Sequence, residues 1–242
     1  MSLIIPARNE ARCLRGTLQA ALEAVEFFRR SAPELDASAE IIVVDNQSDD
    51  GTWELLGEYA RDHGIRPMRL AALGAARARN QGGRQARGAI LIFIDADTQI
   101  PEETISRIME HCHQGAKQGG ITGLAGLEGG WRAWCWWQFW GQVRRFPLAR
   151  AKAMPALMFC TATAFHEFGP FDEEVAIGEE WPILAGLYRA RPQQFIYDRT
   201  LVARTSSRRM EQQRFGYLRT FLKYVWAILH HAGRIEYTDQ IR

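Results

Sequence analysis

Residues 90–101 read ILIFIDADTQIP: five apolar residues, then two carboxylates, Asp95 and Asp97, one position apart. A short apolar run bounded by turn-forming residues is the pattern of a buried strand. Such a strand gains nothing from ending on two acids, which raises the question of what they are for. Upstream, ARARNQGGRQARG (residues 76–88) reads as a helix ending at Gly88, and downstream Pro101 occupies a favoured first-turn position of the next helix.

The same alternation extends back to the first residues. LIIP (residues 3–6) is a strand, and Leu14, Leu18, Leu22 and Val25 follow at helical spacing. IIVVD (residues 41–45) is a second strand, followed by a helix from near Trp53 that Gly64 can close, then a weaker strand near Met68. Strand–helix alternation of this kind predicts an α/β fold with a doubly wound, mainly parallel sheet and ligands at the carboxyl ends of its strands. Three polar clusters, PARNE, DNQSDDGT and DADT, follow strands and therefore share one edge of the sheet.

The pattern loosens after Gly119. GGITGLAGLEGG suggests a strand with loose flanks, WRAWCWWQFWGQVRRF an aromatic helix or loop, and ALMFCTATAF a strand. EEWPILAGLYRARP suggests a helix started or broken near Pro182. Phe215, Leu218, Phe221, Leu222, Val225 and Leu229 line one face of a C-terminal helix. No repeat or linker divides the chain, so 1–242 is expected to be one domain with two functional halves and a C-terminal helix over 211–242.

Composition narrows the function classes. The chain has 242 residues, 47% of them hydrophobic, enough for a full core. Thirty basic and 28 acidic residues leave a net charge of +2, so bulk charge does not imply a polyanion partner and any basic site is local. Cys13, Cys112, Cys135 and Cys160 form no C-x-x-C pair and read as reduced thiols of a cytoplasmic protein, not as a zinc site. The opening MSLIIPARNE carries no basic-then-apolar leader, and no uncharged run reaches the roughly 20 residues that span a bilayer. A soluble or peripherally bound protein is expected.

Two acids at D-x-D spacing at a strand end can approach one hard divalent cation and a neighbouring ribose hydroxyl, with phosphates and water completing the shell. Acids in such places also cap turns and helices. The wider combination is more specific. IIPARNE, VVDNQSDDGT, ARNQGGRQARGAILIFIDADT, FGPFDE and GEEW occur in an order and spacing that resembles family 2 glycosyltransferases of the inverting GT-A type, over roughly residues 3–209.

The resemblance implies a Rossmann-like mixed sheet, a nucleotide-sugar donor and Mn2+ or Mg2+. It makes about 1–125 the nucleotide-sugar-binding half and about 126–210 the acceptor half. Asp97 becomes the metal ligand and Asp95 a ribose or metal-water contact. Asp45 reads the base, with Pro6, Ala7, Arg8 and Glu10 shaping the pocket, and Arg79 lies on the diphosphate side. The acidic pair that supplies the catalytic base in the family, usually Glu-Asp, is matched by Glu179 and Glu180, a departure that leaves the order within the pair open. Arg208 and Arg209, in TSSRR, match basic residues that hold the diphosphate; a solvated surface pair is the alternative. Gly82 and Gly88 are assigned to helix packing and termination. The acceptor, whether saccharide, lipid-linked or small molecule, is not fixed by any of these residues.

Other readings are weighed beside this one. A nucleotidyltransferase on a related scaffold would carry a Gly-rich activation loop near the first strand, and PARNEARC has none; a non-catalytic binding protein would be expected to have lost its acids. His111 and His113 fall at a helix end, where cations complement the dipole. His166 is either beside the acceptor or a turn residue, and Cys160 is core. The tryptophans of residues 131–140, followed by Arg144, Arg145, Arg150 and Lys152, are first a helix packed on the sheet under the C-terminal helix. A peripheral membrane patch is the second reading. Nucleic acid comes last, because the chain lacks a basic stripe.

Overall fold

Both faces of β4 (Ile90–Ile94) are buried, which is why its sequence is an unbroken apolar run and not an alternation. Ile90, Ile92 and Ile94 face one layer of core, while Leu91 and Phe93 face the other. The computed structural model describes residues 1–33, 38–113, 116–146, 155–175, 177–212 and 215–229, and only the backbone of Arg209 and of 227–229. The expected C-terminal helix beyond 229, together with Arg150 and Lys152, lies outside the described residues.

β1 (Ser2–Ala7), β2 (Glu40–Asp45) and β3 (Arg66–Arg69) run parallel to β4. Between them lie α1 (Ala11–Ser31), α2 (Thr52–His63), closed by Gly64 in the left-handed conformation, and α3 (Ala75–Gln85). After β4 come the two-residue β5 (Thr98–Gln99), α4 (Thr104–His113), β6 (Gly119–Gly126), α5 (Trp131–Val143) and β7 (Leu157–Thr161). Then follow α6 (Ala162–Phe168), α7 (Trp181–Ala190), β8 (Phe195–Thr205), α8 (Arg208–Glu211) and α9 (Gly216–Leu229). Among the described residues these strands form one eight-stranded sheet, ordered β3-β2-β1-β4-β7-β6-β8-β5. β7 is antiparallel to both its neighbours, and β5 is antiparallel to β8. The sheet is thus mixed and mainly parallel, as the alternation predicts.

Helices cover both faces. Leu14, Leu18 and Val25 of α1 and Ile105 and Ile108 of α4 join Leu3, Ile5 and Val43 in one core. Phe165, Ile183, Leu184 and Leu187 of α6 and α7 join Ile4, Leu91 and Phe93 in the other. Each side chain of this size buried outright contributes about 1.5–3 kcal/mol. Gly82 brings α3 onto β1: a Cβ there would lie 2.4 Å from Ile4 Cγ2.

Several boundaries differ from the sequence reading. α3 ends at Gln85, so Gly88 is not its terminus; a Cβ on Gly88 would lie 2.4 Å from the Met1 backbone, and the residue serves close chain approach. ALMFCTATAF is not all strand, because the Thr161 hydroxyl accepts from Ala164 N at 3.1 Å and caps α6. Pro101 precedes α4, accepting at its carbonyl from Thr104 N. β8 has eleven residues and an irregularity opposite Thr122 and Gly123, where Asp198 Oδ1 accepts from Thr200 N and Leu201 N.

Candidate active site

The loops after β1 and β2 are tied together by side chains of their polar residues. Asn9, at φ 54°, donates through its backbone N to Ser48 Oγ at 3.0 Å and accepts at Oδ1 from Asp49 N at 3.0 Å. Glu10 N donates to Thr52 Oγ1 at 3.0 Å, and Ala11 N to Asp50 Oδ2 at 3.1 Å. Asn, Ser and Asp in these places satisfy backbone groups that a strand end leaves orphaned. The sequence reading did not single out Asn9, Ser48, Asp50 or Thr52, although their crowding in PARNE and DNQSDDGT is the signal.

Asp45 ends β2 opposite Ala7, whose side chain is buried; Pro6 pairs with Val44, and Arg8 is exposed. The Asp45 carboxylate is fully buried. Its Oδ1 accepts from Ser48 N at 3.2 Å, while Oδ2 has no hydrogen-bond partner and lies 3.3 Å from Arg69 Nε. Arg69, which stacks over Trp53, is a neighbour the sequence did not reveal.

Asp95 and Asp97 occupy the turn between β4 and β5. Thr205 Oγ1 donates to Asp97 Oδ1 at 3.3 Å, and Ser206 N to the Asp97 carbonyl at 3.1 Å, which brings the end of β8 to this turn. Arg208 donates to the buried Glu10, joining the first polar cluster to the last. Glu128 accepts from Ser207 N at 3.1 Å, and Trp137 Nε1 donates to Ser207 Oγ at 2.9 Å. Burial raises the Cys13 thiol, and the charges acting on it come from Arg208, Glu10, Asp97 and Glu128, so these four converge. The Arg209 side chain lies outside the described residues.

Arg79 is largely buried and bridges Asp95, after β4, to Glu179, before α7. Its Nη2 donates to Asp95 Oδ1 and its Nη1 to Glu179 Oε1, each at 2.5 Å. Burial would lower its pKa, but Asp95, Glu179 and Glu180 outweigh that and raise it. Next to it, Asn80 Nδ2 donates to the Phe171 carbonyl at 2.9 Å and Oδ1 accepts from Phe171 N at 2.8 Å, fixing the segment that leads to the acids.

Glu180 stands at the N-cap of α7 yet makes no side-chain capping bond, and its buried Oε1 has no hydrogen-bond partner. Burial, and then the charge of Glu179, push its pKa up to about 8. Burial also raises Glu179, against the pull of Arg79. Two residues that the sequence reading did not connect with this pair, Arg144 and Tyr224, feel the charge of Glu180. Burial lowers the pKa of Arg144, with its hydrogen bond to Tyr197 and the charges of Tyr224 and Glu180 opposing; burial, and then Glu180, push Tyr224 up to about 12. Arg144 is therefore buried and not part of a headgroup-facing basic run.

His111 is structural in its contacts, with Nε2 2.9 Å from Asp198 Oδ2, and His166 is exposed on α6. A hard cation fits the donor set at the β4–β5 turn: two partly exposed carboxylates, all oxygen. Among the described residues no three His, Cys, Asp or Glu side chains gather as a closed cage.

Acids at the carboxyl ends of a mainly parallel sheet, beside loops locked to each other, define an α/β protein of the GT-A glycosyltransferase fold. Residues 2–173 match the family described as "Glycosyl transferase family 2", and the chain belongs to that family. It is 32% identical over 124 residues to an uncharacterized glycosyltransferase, YfnE, of Bacillus subtilis, covering 51% of this chain and 29% of that one. It is 35% identical over 118 residues to the undecaprenyl-phosphate 4-deoxy-4-formamido-L-arabinose transferase of Pectobacterium atrosepticum, covering 48% and 34%. The chain thus spans about a third of the length of these relatives. Among solved structures, the mannosyltransferase PcManGT of Pyrobaculum calidifontis, in complex with GDP-Man and Mn2+, superposes with a TM-score of 0.62 at 18% identity, covering 95% of this chain and 67% of that one. Glucosyl-3-phosphoglycerate synthase of Mycobacterium tuberculosis, with Mn2+, UDP and glucosyl-3-phosphoglycerate, gives 0.60 at 15%, covering 94% and 78%.

Proposed function

We propose that this chain transfers a sugar from a nucleoside-diphosphate-sugar to an acceptor hydroxyl with inversion at the anomeric carbon. The observation that carries the reading is Glu180: a buried carboxylate with a partnerless oxygen and a raised pKa, beside an acid held by Arg79. Once ionised, a carboxylate with a raised pKa is a stronger base than an ordinary one, a role worth on the order of 10² to 10⁴ in rate. The acceptor oxygen forms its bond to the anomeric carbon as its proton passes to Glu180. The bond to the diphosphate breaks, and the nucleoside diphosphate leaves with the electron pair.

The other residues bind and orient. Asp45 Oδ2 is a buried acceptor suited to a base N–H. Pro6, Ala7, Arg8 and Glu10 shape that pocket, Arg79 positions Asp95 and Glu179 on the diphosphate side, and Arg208 and Arg209 serve the phosphates. Asp97, with Asp95, would hold Mn2+ or Mg2+, which supplies Lewis-acid stabilisation of the departing diphosphate; Mn2+ stands with the donor in PcManGT. The reaction belongs in the cytoplasm, with peripheral attachment at the membrane face and a saccharide, lipid-linked or small-molecule acceptor. Incubating the protein with a panel of nucleotide-sugars, with and without Mn2+, and measuring Tm and donor hydrolysis tests the reading. A Tm rise that needs both ligands supports it; no response to any nucleotide-sugar overturns it.

A further inference from the structure

α5 and α9 meet through their aromatic residues, with the Trp136 ring 5.6 Å from Tyr217 and Trp140 5.6 Å from Tyr224. This packing accounts for part of the tryptophan-rich segment and leaves the rest outside. Trp131, Trp134, Phe139 and Phe146 on one side, and Leu218 and Leu222 on the other, are between 47% and 76% exposed. Trp131, Phe139 and Leu218 share one surface, since all three line a groove of about 400 Å³ formed by residues of both helices. Apolar patches of this extent on a soluble protein mark a partner.

Charge selects the partner. The exposed charged residues of the two helices are Arg132, Arg219 and Lys223, with Arg145 just beyond α5, and neither helix contains an Asp or Glu. The chain as a whole carries 28 acids, so a stretch this long without one is a local bias. A second copy seated face to face would set these cations against their own counterparts with no acid between them. Indole rings and aliphatic side chains framed by cations suit the boundary of a bilayer with anionic headgroups. No helix among the described residues is long and apolar enough to cross one.

We infer that the outward face of α5 and α9 docks on a lipid surface rich in anionic headgroups. Arg144, which follows α5, and Tyr224 of α9 lie within the electrostatic reach of Glu180. Docking therefore sets the acceptor side of the site against the lipid, a consequence that rests on the transfer reading, whereas the docking itself does not.

The test is sedimentation of the full chain with vesicles of phosphatidylcholine alone or mixed with phosphatidylglycerol, at low and moderate salt. The protein is expected in the pellet with anionic vesicles, less so as salt screens the cations over about 8–10 Å, and scarcely with neutral ones. Trp131→Ser with Trp134→Ser, and separately Arg219→Glu with Lys223→Glu, should each lower partitioning at least about tenfold. Their urea unfolding and nucleotide binding should stay unchanged. Absence from both pellets, or equal partitioning into both, overturns the inference. So does a concentration-dependent dimer that the tryptophan variants abolish. Nucleotide binding, measured by calorimetry on the same samples, separates a failure of docking from a failure of the transfer reading.

Discussion

Arg79 donates to Glu179 at 2.5 Å, while the adjacent Glu180 keeps a buried carboxylate oxygen without a partner. The two acids are thereby unequal: one is neutralised and fixed, the other is available. Glu180→Gln preserves shape and cannot accept the proton, so single-turnover transfer or donor hydrolysis should fall at least about a hundredfold with donor binding intact. Glu179→Gln should cost less. The reverse ranking would reassign the base, and small losses for both would end the carboxylate-base reading.

The pH dependence follows from the same residue. A base with a pKa of about 8 must be ionised to work, so the rate should climb as pH rises through about 8 and then level off. The stability effect runs the other way. Because the folded-state pKa is raised from 4.5, the contribution is fully present below about 4.5 and is lost as pH rises through about 8. Tm of the wild type should therefore decline over that window more than Tm of Glu180→Gln; equal declines would show that Glu180 is not the raised group.

Removing the buried cation should be felt in the fold. Arg79→Leu leaves Asp95 and Glu179 without their shared partner, and loss of one member of such a buried group costs about 3–5 kcal/mol. Urea denaturation measures it. Arg79→Lys keeps the charge but lacks the two-pronged fork, so it should recover only part of the loss.

Asp97→Ala and Asp45→Ala should separate cation from nucleoside. By calorimetry, Asp97→Ala should bind nucleoside diphosphate equally with Mn2+ and with chelator, and more weakly than wild type with Mn2+. Asp45→Ala should weaken binding under both conditions. A wild type indifferent to chelator would remove the metal role from Asp97.

Gly82→Ala should destabilise by about 1–3 kcal/mol, because its Cβ would meet the wholly buried Ile4, which has no room to move. Thermal unfolding reads the effect directly, and an unchanged Tm would show that the contact between α3 and β1 yields.

β1, β2 and β4 were legible in the sequence because their residues are buried on both faces, and continuous apolar runs admit few other readings at that length. β5 was not, since two residues carry no period. α6 was merged with β7 because ATAF is as apolar as the strand before it; the capping Thr161 was the mark that separated them. At the site, the strand-end acids stood out by type and position. Their partners did not: Arg69 and Asp45 come together through the order of strands, and Arg144 and Tyr224 near Glu180 through the packing of distant helices, neither of which residue spacing encodes.

The pair between Glu10 and Arg208 joins residues 198 positions apart. Contacts so distant in the chain form late, after the loop between them has been closed by other structure. During synthesis, a ribosome-bound chain that has released β1 to β4 holds Glu10 and Asp45 and lacks Arg208, the partner of Glu10. The site is therefore completed last, and a prematurely ended chain that folds its first strands would own the acids of the D-x-D turn without the residues of β8 and α8 that face them.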